Sequence, residues 1–418
     1  MSKQNNKLSV NDIAKDIKSV CKDAGINPYE LSISKYFKLG GKYTEWNIRS
    51  LGGMRNIVDA YFASEKPENL PVILDLKEAR KDFSKVTKEL ADIERLHKRI
   101  EDSISRITYK KYKPYSSKKK EKKINRTVNL VLSDLHIGSD ISNKETNHSH
   151  GRQHESRSLA AVVRNVCEYK KQYRDLTELN LFILGDCFES ELHGRTSADL
   201  LHVQACRAIY LLTQAVASVS ANFPKVTVYF AVGNHGRDVS VHSQRATSLK
   251  FNALETTVYY AIRQASANLK NVTFVQPMTP WVVATAQGHR IFATHGDTVF
   301  NVGNPGTAVN VKQIENQVNK INASLKDEEE YKIFIVGHVH QGLVTQLSNG
   351  AMVVINGPLV PPNPYANSLG IMESPQVQVM WESTADFPIG DFRFINVNGS
   401  GDDKTLDTII APFDEFVL

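Results

Sequence analysis

The sequence predicts an α/β domain preceded by a small helical domain and a long heptad helix. Three observations carry that expectation. From Thr127 onward, short β-branched runs recur, and each closes on a polar residue. Between residues 76 and 107, apolar positions alternate spacings of three and four. Before residue 70, short periodic segments are separated by Gly pairs.

At 418 residues the chain has room for two or three domains. A 41% hydrophobic and 23% charged composition is that of a globular protein. No run approaches the ~18 apolar residues of a membrane-spanning helix, so no membrane partner is expected. The polar start, Met1 to Val10, lacks the apolar core of a secretory signal. Cys21, Cys167, Cys187 and Cys206 are widely spaced with no CxxC pair, which argues against a disulfide scaffold or a structural zinc site. A reducing cytoplasm is the expected compartment. The net charge of +6 is uneven. Lys110 to Arg126 holds nine basic residues against one acid, a net +8, which leaves −2 for the rest. Clustered lysines bind polyanions by releasing counterions, and they also make solvated linkers.

Residues 1–70 read as the helical domain. Ile13, Ile17, Val20 and Cys21 give Asn11 to Ala24 a helical face, which Gly25 and Pro28 end. A second helix is expected over Pro28–Phe37, a third over Thr44–Leu51 with Thr44 as N-cap, and a fourth over Met54–Phe62. Short helices joined by tight Gly turns suit a helix-turn-helix unit. Residues 71–108 form the heptad helix: its seam runs Leu76, Ala79, Phe83, Val86, Leu90, Ile93, His97, Ile100, Ile104, Ile107. Such a seam predicts a homodimer through residues 76–107, or a helix folded back on its own chain. Residues 109–126 are the basic linker, 127–365 the α/β domain, and 366–418 a β-rich C-terminal extension.

Five β-branched runs end in the residues that carry chemistry. They deliver Asp134 and His136, Asp186, Asn234 and His235, His295, and finally His338 and His340. Side chains at strand ends are rigidly aimed and can meet above a sheet. Gly185, Gly233 and Gly337 adjoin these residues, where a sharp turn or close backbone approach is needed. Between the first and second runs lie His148, His150 and His154, expected as surface residues of a loop.

The order DxH, GD, GNH, lone His, GHxH resembles the signature of calcineurin-like metallophosphoesterases. Here it stands as Asp134-Leu135-His136, Gly185-Asp186, Gly233-Asn234-His235, His295 and Gly337-His338-Val339-His340. The resemblance covers residues 127–365 and implies a four-layer α/β/β/α sandwich and two divalent cations. Manganese is the first expectation, with iron, zinc or magnesium as alternatives. It implies Asp134, His136 and His340 on one ion, Asp186 bridging, and Asn234, His295 and His338 on the other. His235 then protonates the leaving oxygen or stabilises charge on it. The family usually has an acid after the GNH histidine, whereas this chain has Gly236, Arg237 and Asp238.

Arg195 and Arg237 are candidate phosphate contacts, because guanidinium grips phosphate bidentately. The run YFKLGGKYTEWNIRSLGGMRNIVDAYF resembles small repeats attached to homing endonucleases and other phage DNA enzymes. That resemblance, the basic run and the heptad helix together suggest DNA as partner and substrate, in a phage or mobile-element protein acting in a host cytoplasm. The alternative is a phosphatase of phosphoprotein or nucleotide, with the N-terminal half as a protein-interaction module.

Overall fold

A computed structural model describes residues 9–65, 126–173, 176–190, 199–236, 253–303 and 308–403. It also describes Lys250, Pro305 and scattered positions between 80 and 98. The chain divides into two compact units, residues 1–95 and 96–418.

The first unit is built from α1 (Val10–Ala24), α2 (Ile33–Lys38), α3 (Glu45–Ser50) and α4 (Met54–Glu65). Its core joins Ile13, Ile17 and Cys21 to Tyr36, Ile48, Ile57 and Val58. Buried Asp16 accepts from the Tyr36 hydroxyl and, at 3.1 Å, from the Lys42 amide, so its carboxylate is satisfied. α1 stops at Gly25 with φ +63°, the left-handed cap that glycine adopts without a Cβ penalty. The helix expected over Pro28–Phe37 is divided instead. A short 3-10 turn covers Pro28–Glu30, and Ser32 then caps α2 by accepting from the Lys35 amide at 3.2 Å. α3 begins where expected, with Thr44 and Asn47 forming a reciprocal capping box. Most of the heptad seam lies outside the described residues. Phe83 is described, and its side chain is exposed.

The second unit contains two sheets. One has the order β11–β10–β1–β2–β3–β4, with β1 (Arg126–Leu132), β2 (Glu178–Ile183), β3 (Lys225–Phe230) and β4 (Val272–Val275) parallel. β10 (Val377–Thr384) runs antiparallel to β1, and β11 (Phe392–Asn396) antiparallel to β10. These two strands, from the segment read as an extension, are thus ordinary members of the sheet that carries β1. The other sheet has the order β5–β6–β7–β9–β8, from β5 (Trp281–Ala286), β6 (His289–Thr294), β7 (Tyr331–Val336), β8 (Leu343–Gln346) and β9 (Met352–Ile355). Its β6, β7 and β9 are parallel.

Alternation along the strands makes the layers. Val128, Leu130 and Leu132 face helices α5 (Arg152–Gln172), α6 (Leu201–Ser220) and α7 (Leu254–Ala265). Val131, Phe182 and Leu184 point the other way, onto Ile291, Ala293, Ile333 and Ile335 of the second sheet. Phe292, Phe334 and Val353 cover the far face together with Ile314 and Val318 of α8 (Val311–Asn322). The result is a four-layer α/β/β/α sandwich. Parallel β1, β2 and β3 bring their C-terminal ends to one edge, and β6 and β7 do the same in the second sheet.

Candidate metal centre

The turns that leave those strand ends are held in unusual backbone conformations. Asp134 (φ +53°), His136 (+44°), Asp186 (+50°), His338 (+68°) and His340 (+57°) are all left-handed. A non-glycine residue in that region costs on the order of 1–3 kcal/mol, and such strain gathers at functional sites. The neighbouring glycines make the turns possible. A Cβ on Gly233 would collide with the Asp186 carboxylate, and one on Gly337 would collide with that of Asp134.

The turns bring together two donor clusters. Ligand-type atoms of Asp134, His136 and His340 lie within 4.8 Å of one another, and so do those of Asp186, His295 and His338. His340 Nε2 is 3.4 Å from Asp134 Oδ1 and 3.2 Å from His136 Nε2. His295 Nε2 is 3.1 Å from Asp186 Oδ2 and 3.0 Å from Asn234 Oδ1, which adds Asn234 to the second cluster. Main-chain bonds tie the clusters together: the Asp134 amide donates to Gly185 O and the His136 amide to Asp186 O. All seven of these side chains therefore converge on one locus.

His235 lies beside the clusters, its ring centroid 4.5 Å from that of His136. Its Nδ1 donates to the Glu189 carbonyl at 2.5 Å, so the ring is oriented without an acid at position 236. Arg195 and Arg237 fall outside the described residues. Of the three histidines expected in a loop, His154 lies in the first turn of α5, and His150 is buried at 4% exposure, its strand-like bridge to Ile141 turning it inward.

The electrostatics of the protein alone are polarised around Asp186. Burial alone would raise its pKa, but His295 and His235 outweigh that and hold it well below the carboxylate range. Asp134 is likewise lowered, by His340 and His295 against burial. Burial opposes a charged His295, yet the Asp186 carboxylate lifts it to about 10. His235 is raised for the same reason, by Asp186 and Glu189 against burial. His338 is lowered to about 4 by burial and by His295.

Mixed nitrogen and oxygen donors, buried and anchored by ionised carboxylates, fit divalent transition metals. His295 Nδ1 donates to Leu184 O at 2.7 Å, which fixes the tautomer that leaves Nε2 to a cation once its proton is released. Several supporting residues have no counterpart in the strand-end pattern. Glu189 Oε2 is 2.8 Å from His136 Nδ1, and Glu189, His136 and His235 form a third close group. Buried Ser133, Asn356 and Gln378 back Asp134: Ser133 Oγ donates to its Oδ2 at 2.5 Å and accepts from Asn356 at 2.9 Å. Glu155 and Glu255, from the first turns of α5 and α7, accept from amides of the ligand-bearing turns. In sequence, an acid opening a helix reads only as a favourable dipole partner.

Sandwich and donor sets together define a two-sheet α/β protein with paired metal-type clusters at the strand ends. No protein-family model matches the chain, and no curated protein matches it. Solved structures do. It is similar to a dimetal phosphatase from Danio rerio, at 13% identity and TM-score 0.31, over 65% of this chain and 99% of that one. It is similar to zinc-complexed Vps29 from Entamoeba histolytica, at 10% identity and TM-score 0.27, over 65% and 99%. A 5'-nucleotidase from Candida albicans is similar at 11% identity and TM-score 0.36, over 73% and 59%.

Proposed function

We propose that the chain is a metal-dependent phosphoesterase of the calcineurin-like kind, acting as a phosphodiesterase on DNA. The observation that carries the chemistry is the pair of donor clusters side by side, each with at least two buried ligands and one partly exposed histidine. Asp134, His136 and His340 would hold one cation and Asn234, His295 and His338 the other, with Asp186, grouped with His295 and His338, shared between the two. When bound, two divalent cations neutralise the phosphoryl oxygens and make a nucleophile available near neutral pH. Manganese suits the donor set, as do iron and zinc.

The residues around the clusters do the rest. His235, anchored through Nδ1 and with its pKa raised by Asp186 and Glu189 against burial, would present Nε2 to the leaving oxygen as the acid. Glu189 orients His136 from behind. The basic run 110–126 supports a long polyanion as substrate, because each phosphate it neutralises adds sequence-independent affinity. A phage or mobile-element origin accords with this reading.

One observation favours a second reading, a phosphatase of nucleotides. A polar cavity of about 260 Å³ is lined by His148, His150, His154, Ser374, Gln376 and Asn398, among others. Ser374 in its wall donates to His340 O at 2.8 Å, so the cavity adjoins the first cluster. Incubation with Mn²⁺ and either labelled DNA or a phosphomonoester decides between them. DNA cleavage with slow monoester turnover supports the first, and monoester turnover with intact DNA supports the second. No hydrolysis of either refutes both.

A further inference from the structure

Glu255 is the second residue of α7, and its side chain is completely buried. Both oxygens are used on main-chain donors of the ligand-bearing turns. Oε1 accepts from the Cys187 amide at 2.7 Å, and Oε2 accepts from the Gly233 amide at 2.6 Å. Cys187 directly follows Asp186, and Gly233 directly precedes Asn234. One carboxylate thus joins the turn after β2 to the turn after β3. Asp186 completes the clasp from the other side, since its Oδ1 accepts from the amides of Asn234 and His235 at 2.8 and 2.9 Å.

The surroundings leave this arrangement little freedom. A Cβ on Gly236 would sit 2.6 Å from Glu255 Cγ, so the glycine makes room for the side chain. The Leu254 amide donates to Gly236 O at 2.7 Å and fixes where α7 starts. One turn further on, the Tyr259 hydroxyl donates to Ala231 O at 2.9 Å and meets Cys187 Sγ at 3.6 Å. The first turns of α7 therefore clamp the ends of β2 and β3 together.

We propose that Glu255 is a positioning residue chiefly for one cation: by holding the Cys187 and Gly233 amides, it sets Asn234 and Asp186 for the ion held with His295 and His338, and reaches the other ion only through Asp186. The proposal rests on the two-cation reading above. Residues that orient metal ligands are worth about 10–100-fold in affinity when removed. Glutamine at 255 keeps one acceptor but turns an NH₂ toward the second amide, so one of the two bonds becomes a donor–donor clash.

The test uses the full chain and calorimetric titration with Mn²⁺. His340→Ala disables the Asp134 cluster and leaves the Asp186 cluster complete, and His338→Ala does the reverse. Adding Glu255→Gln should weaken binding about 10–100-fold in the His340→Ala chain and several-fold less in the His338→Ala chain, where the remaining ion uses Asp186 but not Asn234. Equal losses in both, or none in either, would overturn the positioning role. If Glu255→Gln does not fold, Gly236→Ala displaces the same side chain and should give the same unequal loss. An unsubstituted chain that binds no Mn²⁺ would instead refute the two-cation reading itself.

Discussion

Asp186 and His235 are joined by a 2.9 Å hydrogen bond, yet substitution should separate their roles. Asp186→Ala removes the carboxylate at the centre of the second cluster. It should abolish hydrolysis and lower bound metal from two ions toward one or none. An active Asp186→Ala chain would refute the two-cation reading. His235→Ala should keep both ions and lose turnover by about 10²–10⁴, the usual contribution of a general acid. Metal analysis alongside kinetics distinguishes these outcomes, and loss of metal from His235→Ala would make it a ligand. A different histidine contributes to acid stability. His150 is lowered to about 3 by burial and by His154, against a pull upward from Glu189. Its ordinary value is 6.5, so below pH 6.5 the unfolded chain takes up a proton that the folded chain refuses. Stability should therefore fall as pH drops from 6.5 toward 3, by up to about 1.4 kcal/mol per unit from this group. Urea unfolding at pH 7.5, 6 and 5 should show a shallower decline for His150→Gln than for the unsubstituted chain. Parallel declines would remove His150 as the cause.

The elements differ in how far their role is readable from neighbours in sequence. Each cluster residue lies within a few positions of the β-branched run that aims it, so the donor set could be read directly. The supports behind it could not. Glu255 lies 22 residues beyond the Gly233 it binds, and Gln378 lies 245 beyond the Ser133 amide that it accepts from. Neither leaves a local period. β10 was legible as a strand within the β-rich segment, but its place beside β1 was not, because that depends on a partner some 250 residues earlier. In the helical unit, Ser32 was the missed signal: a hydroxyl that caps α2 also ends what precedes it. The heptad helix makes its own prediction. If residues 76–107 pair two chains, Leu90→Lys with Ile93→Lys places ammonium groups on the facing seam, where burying unpaired charge is costly. Sedimentation should then report a monomer where the unsubstituted chain is a dimer. An unchanged mass would exclude this seam as the dimer contact.

At the scale of the molecule, recognition and chemistry should come apart. All the cluster residues lie beyond the basic run. A chain beginning at Ile124 keeps Arg126 and its 2.9 Å ion pair with Glu382, and so keeps β1 closed against β10. It should hydrolyse a small chromogenic phosphodiester with Mn²⁺ at close to the full chain's rate. Its DNA affinity should be lower and less salt-dependent, since each lost phosphate contact removes roughly 0.9 from the log–log slope. Identical slopes would make the basic run a solvated tether. Loss of small-substrate turnover would show that the first 123 residues support the fold of the second unit.

The antiparallel seating of β10 on β1 also sets an order of events during synthesis. Asp134 leaves the ribosome early, but the Gln378 side chain behind it is made almost 250 residues later. Until then β1 presents an unpaired edge, the kind of surface on which nascent chains stick to one another. A message truncated before codon 377 would yield every cluster residue and still leave that edge open. Such a product should accumulate in the insoluble fraction, and its lost activity would be a failure of assembly and not of chemistry.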